Sequence, residues 1–194
     1  MGRRRRSFTR PYGLRSYKKL FVIATEGKKT EPAYFLLFEG DNRIVRIKCI
    51  KGDAKSAPAY VLKRMQNYLQ EEALQKSDEA WIVVDQDQWE ARQLQMLFDW
   101  AKQKSNRHVA LSKPNFEYWL LLHFEDGTGL VFASDCAVRL KRYLPGYDKS
   151  IDRNKFPEEA IREAINRAKS RKKSGAQAFT DVYRLVENIL KAQE

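Results

Sequence analysis

The stretch Ala80-Trp81-Ile82-Val83-Val84-Asp85-Gln86-Asp87 decides the fold. Its first five residues form a short apolar run, suited to a strand covered on both faces, as strands of parallel sheets are. The run ends on two acids separated by one residue. In an extended segment, side chains at i and i+2 point to the same side. Asp85 and Asp87 can therefore face one ion while Gln86 turns away. A buried strand leading into paired carboxylates is costly unless something compensates their charge. A hard divalent cation does this: Mg²⁺ takes oxygen ligands and commonly needs only one or two protein carboxylates besides substrate phosphate and water.

Working outward, two further runs have the same character. Leu20 to Ala24 leads into Thr25-Glu26-Gly27, and His108 to Leu111 leads into Ser112-Lys113-Pro114-Asn115. Residues 43–50 alternate Val45, Ile44 and Ile47 with charges and predict a more exposed strand, followed by a loop over 52–58. Helical spacing recurs between the strands. It covers 30–38, with Pro32 tolerated in the first turn, then 59–75, then Leu94, Leu97, Phe98 and Ala101, then 115–124. Strands alternating with helices predict an α/β fold with a mostly parallel sheet of about four strands flanked by helices. After Gly129 the pattern is helical over 134–144, 157–173 and 180–192, punctuated by Pro145 and Gly146. The chain thus reads as a basic arm (1–18), an α/β core (19–130) and a helical C-terminal extension packed on the core (131–194).

The 194 residues hold 37 Lys or Arg against 25 Asp or Glu, a formal charge of +12. The excess lies at the flanks. Residues 1–19 carry eight basic residues and no acid, residues 139–173 carry twelve basic and five acidic, and the body between them is nearly neutral. Arg3-Arg4-Arg5-Arg6, in an arm with Gly2, Pro11 and Gly13, can attract phosphates and release counterions. The alternative is a solvated tail. The second basic stretch, Lys169 to Lys173, ends a predicted helix, where it can equally complement the helix dipole. No apolar run is long enough to span a bilayer, so no membrane partner is expected and the cytoplasm is the default location. Two cysteines, Cys49 and Cys136, give neither a disulfide framework nor a zinc motif.

In parallel α/β sheets, ligands bind beyond the carboxyl ends of the strands. Glu26, Asp85, Asp87 and Glu117, the last just inside a helix, all fall at that level. Glu26 would complete a metal site with the aspartates or act as general base or acid. The competing reading is that strand-end acids cap loops or pair with lysines. Gly27-Lys28-Lys29-Thr30 has the end of a P-loop but lacks its first glycine, since Val22 stands there; a Walker-type nucleotide site is rejected. Lys28 and Lys29 can still hold a phosphate beside a helix start, and Lys113 can do so beyond its strand.

The segments FVIATEGKKTEPAYF (21–35), WIVVDQDQW (81–89), SKPNFEYWLLLHF (112–124) and FTDVYRLVENIL (179–190) together resemble the RloB-like family, from about Leu20 to Leu190. The third is the most distinctive. The family is similar to the Toprim fold of topoisomerases, primases and OLD-type nucleases. Its members are encoded at restriction and phage-defence loci, often beside an AAA-type ATPase gene. The resemblance implies that Glu26, Asp85 and Asp87 bind Mg²⁺ (or Mn²⁺) and act on a phosphodiester, with Glu117 as a further acid. Gln86 and Gln88-Trp89 depart from the family pattern, which has a basic residue in the Asp motif and an acid or His after it.

The expected function is a Toprim-like, Mg²⁺-dependent nuclease or phosphotransfer effector in phage defence, acting on DNA or RNA, with an ATPase partner implied by the family. The alternative is a non-catalytic module that binds nucleic acid or a nucleotide, or serves as a specificity subunit of a defence ATPase complex. His123 shares a helix face with Phe116, Trp119 and Leu120 and is expected in the core. Most aromatics fit core positions, whereas Trp89, following the Asp pair, could flank a bound nucleotide. Asn115 is expected as a helix N-cap.

Overall fold

Apolar residues alternating between two faces build the centre of the molecule. The computed structural model of the chain describes residues 17–39, 44–52, 57–86 and 89–194. Its elements run β1 (Lys19–Thr25), α1 (Thr30–Phe35) with a 3₁₀ turn (Leu36–Phe38), β2 (Val45–Ile50), α2 (Pro58–Glu71), β3 (Glu79–Asp85) and α3 (Ala91–Lys102). They continue with β4 (Arg107–Lys113), α4 (Phe116–Leu121), α5 (Ala133–Tyr143), a 3₁₀ turn (Arg153–Lys155), α6 (Glu158–Lys173), β5 (Phe179–Thr180) and α7 (Val182–Gln193).

The strands form one sheet in the order β2-β1-β3-β4-β5. β1 to β4 are parallel, so all four end on one edge. Along β1, Leu20, Val22 and Ala24 face α2 and α3, joined by Val61, Met65, Leu94, Leu97 and Trp100. Phe21 and Ile23 face the other way, into a larger core built on α1, α4, α5, α6 and α7. β3 repeats the pattern: Ala80, Ile82 and Val84 on the α2/α3 side, Trp81 and Val83 on the other. A strand buried on both faces is the continuous apolar run read from the sequence.

The expectation of about four strands is corrected to five. Residues 180–192 read as one helix, yet Phe179 and Thr180 leave the helical pattern and pair antiparallel with Lys113 and Ser112. The Ser112 and Thr180 hydroxyls lie 2.8 Å apart in the core, and the Asp181 N–H donates to the Leu111 carbonyl at 2.8 Å. Two residues are too short a run for periodicity to reveal, and their partners lie far away in the chain. The helix expected over 59–75 stops at Glu71. Beyond it, the buried Asp78 carboxylate accepts from the Gln75 N–H at 2.7 Å and the Leu20 N–H at 2.9 Å, turning the chain into β3.

The C-terminal segment belongs to the same core: Val182, Leu185, Val186 and Ile189 are buried with Phe21 and Ile23. At the amino edge of the sheet, Glu79 accepts hydrogen bonds from Lys19 (2.6 Å), Trp81 Nε1 (2.8 Å) and Asn188 (3.0 Å), tying α7 to β1 and β3. Burial alone would raise the Glu79 carboxyl; these three donors outweigh it and hold it below the ordinary range.

Candidate functional site

β1 ends at Thr25, and the next two residues are held from every side. The Glu26 N–H donates to the Val83 carbonyl of β3 at 3.2 Å. The Thr25 hydroxyl donates to the Gly27 carbonyl at 2.8 Å, the Gly52 N–H reaches the same oxygen at 3.2 Å, and the Arg64 guanidinium donates to the Thr25 carbonyl at 2.7 Å. The Gly27 N–H donates to Glu31 Oε1 at 2.8 Å. Glycine is required at Gly52 by close approach: a Cβ there would stand 2.1 Å from the Glu26 carbonyl oxygen, which is backbone, whereas one on Gly27 would meet only the end of the Glu31 side chain.

This turn lays the Glu26 carboxylate across the end of β3. Its Oε2 accepts from the Asp85 backbone N–H at 3.3 Å and from the Trp89 indole N–H at 3.4 Å. Glu26 and Asp85, far apart in sequence, thus meet at the carboxyl edge, both half-buried. Alternation along β3 puts the Asp85 side chain on the side of Trp81 and Val83. Asp87 lies outside the described residues, as do Arg3, Arg4, Arg5 and Arg6. Among the described residues, no group of three or more His, Cys, Asp or Glu side chains is gathered to hold a metal ion.

Glu117, in the first turn of α4, makes its hydrogen bond elsewhere: it accepts from the Tyr147 hydroxyl at 3.4 Å, and that hydroxyl lies 3.3 Å from Thr30 Oγ1. Glu31 is close enough to Glu117 for the two charges to interact. Burial pushes the Glu31 carboxyl above its ordinary range, Glu117 adds to the rise, and the N–H groups of Glu31 and Gly27 oppose it. Burial likewise raises the Tyr147 hydroxyl, which stays a proton donor. Glu31 and Tyr147 escaped the sequence reading. An acid in a first helical turn looks like a dipole partner, and a tyrosine after Pro145-Gly146 carries no local signal.

Lys28 and Lys29 stand exposed between β1 and α1, and Lys113 is the half-buried last residue of β4. Asn115 takes the N-cap position of α4 without making the side-chain bond, and its Oδ1 is buried without a hydrogen-bond partner. His123 is buried as expected. Its Nε2 lies 3.0 Å from the Tyr34 hydroxyl, its Nδ1 3.0 Å from the Trp119 carbonyl, and burial pulls its pKa down to about 3. Cys49 and Cys136 are free thiols. Lys169 and Lys172 are tied to Glu187 and Asp181. No helix of the described residues is long and apolar enough to cross a membrane.

An α/β sheet with carboxylates from two adjacent parallel strands at its carboxyl edge defines the class. Within it, residues 21–189 match the family model described as RloB-like protein. The chain belongs to the RloB-like family. No curated protein and no solved structure matches it.

Proposed function

We propose that this chain is a Toprim-like, Mg²⁺-dependent nuclease or phosphotransfer effector acting on nucleic-acid phosphodiesters. The observation that carries the reading is the Glu26 carboxylate lying on the Asp85 N–H at the carboxyl edge. Adjacent parallel strands ending in Glu26 and Asp85 support the Toprim relationship, in which a glutamate after one strand joins an Asp-x-Asp after another. The donor set fits a hard divalent ion: Glu26 and Asp85 supply the one or two carboxylates Mg²⁺ needs besides phosphate and water. Asp85 and Asp87 would hold the ion, with Glu26 as a third ligand or as the group that moves a proton. Once bound, the metal would neutralise charge on the phosphate and activate water or the leaving group.

The remaining residues act around that pair. The Glu117 carboxylate turns to the Tyr147 hydroxyl, so its part as a further acid rests on the family resemblance, while Lys28, Lys29 and Lys113 draw phosphates to the site. The Arg3 to Arg6 arm adds affinity for the backbone. A role in phage defence and an ATPase partner rest on the family alone.

Purified protein with labelled RNA or DNA in Mg²⁺, Mn²⁺ or EDTA tests this. Metal-dependent cleavage that disappears in Asp85→Asn and Glu26→Gln is the expected result. One observation favours a second reading, a non-catalytic nucleic-acid-binding module: Glu26 Oε2 already serves two N–H donors, a purely structural use. Binding that survives Asp85→Asn, with no cleavage in any metal, would establish that module instead.

A further inference from the structure

The sheet order distributes charge along its carboxyl edge in a way that no single segment reveals. From one side to the other, β2 is followed by the exposed Lys51, and β1 by the exposed Lys28 and Lys29. β3 ends in Asp85, β4 in Lys113, and β5 begins with Phe179. The ends of β2 and β1 are joined by the Gly52 N–H on the Gly27 carbonyl. At the other side stands Lys113; the Lys172 ammonium, 5.7 Å from the centre of the Phe179 ring, is already paired with Asp181. Lys51, Lys28 and Lys29 on one side and Lys113 on the other therefore bracket the Glu26/Asp85 pair. Strands lie about 4.8 Å apart, so the row from β2 to β5 spans roughly 19 Å.

Two aromatic rings share this edge. Trp89 reaches Glu26, and both Trp89 and Phe179 are partly buried against the α2/α3 core. Lys113 pairs directly with Phe179 across the antiparallel ladder. Directly paired residues point to the same face of a sheet, and Lys113 is two residues beyond Leu111 of that same core. Lys113 and Phe179 thus stand together, on the face where Trp89 packs. A cationic row accompanied by aromatic rings is the recognition chemistry of a single strand, whose phosphates follow the charges while its exposed bases stack. A duplex keeps its base faces buried in its own stack and offers nothing to the rings.

We propose that the carboxyl edge from Lys51 to Phe179 is a track for a single-stranded nucleic acid. The strand crosses the sheet perpendicular to its strands, with one phosphate over Glu26 and Asp85 and with bases on Trp89 and Phe179. The inference rests on the reading of Glu26 and Asp85 as the phosphodiester site. It adds the strandedness of the substrate, its path, and Lys51 and Phe179 as binding residues.

The test is binding of labelled oligonucleotides of about twelve residues to the full chain in EDTA, where cleavage plays no part. Single-stranded DNA, single-stranded RNA and the matching duplex form the arms; the tighter single strand identifies the sugar. A single strand is expected to bind at least about tenfold tighter than duplex, and Phe179→Leu to lose about tenfold on the single strand only. Phe179→Tyr, which keeps the ring, should retain affinity and serves if the leucine variant does not fold. Lys51→Gln and Lys113→Gln should each lower the slope of log K against log salt by about 0.7. Duplex bound as tightly as single strand, or slopes unchanged in both lysine variants, overturns the track. Cleavage with the track variants unaffected sinks the track alone; intact binding preference without cleavage sinks the catalytic reading alone.

Discussion

An added methyl group at Gly52 has nowhere to go, because the atom it would meet is backbone: the carbonyl oxygen of Glu26, 2.1 Å away. Relief requires moving the Glu26–Gly27 turn, which the Thr25, Arg64 and Glu31 side chains hold. Gly52→Ala should therefore cost about 1–3 kcal/mol, as overpacking does, and any metal-dependent activity should fall with it. Equilibrium denaturation gives the first number, and a variant as stable as the parent would show that the turn yields freely. His123 offers a second residue-scale prediction. Burial holds its pKa near 3, against an ordinary value of 6.5. Its imidazole resonances should not titrate between pH 8 and pH 5. Because the unfolded chain takes up that proton and the native one does not, His123's contribution to stability is fully present above 6.5 and falls as pH drops from there towards about 3. A resonance midpoint near 6.5 in the folded protein would contradict this burial.

At the scale of elements, β5 is the least legible and the easiest to test. Its two residues join the sheet through Thr180, whose Oγ1 lies 2.8 Å from Ser112 Oγ and accepts the Val182 N–H at 3.2 Å. Thr180→Val keeps the shape but leaves a buried hydroxyl and a buried N–H without partners, a loss of about 2 kcal/mol. Ser112→Ala in the Thr180→Val background should cost clearly less than in the parent, since the hydroxyl it removes has already lost its partner. Strictly additive losses in urea would mean that the two hydroxyls do not interact. The strands β1, β3 and β4 were legible because each is a continuous apolar run of a kind that only two-sided burial explains. α4 was legible too, since it begins after Ser112, Pro114 and Asn115; the capping bond expected of Asn115 does not form.

Across the whole molecule, charge and the sheet edge set the behaviour towards nucleic acid. The flanks hold the net positive charge and the centre is nearly neutral. Removing residues 1–18 should flatten the salt dependence of nucleic-acid binding, by several units of slope if most of its arginines contact phosphate. An unchanged slope would reassign the arm to solubility. The second basic stretch behaves differently, because Lys169 and Lys172 are engaged with Glu187 and Asp181. A charge count cannot distinguish a free cation from one paired across a fold.

By itself the sequence determined the α/β character, the apolar strands and the placement of acids at their carboxyl ends. Those properties follow from local chemistry, namely the length of an apolar run, the period of a helix and the cost of a carboxylate beside buried backbone. Only the tertiary structure decided that Glu26 lies on the Asp85 N–H, that Glu117 turns to Tyr147, and that β5 returns to complete the sheet. Each of these depends on two segments meeting that are distant along the chain. Such meetings are chosen by the joint packing of both sheet faces, to which no single stretch of residues has access.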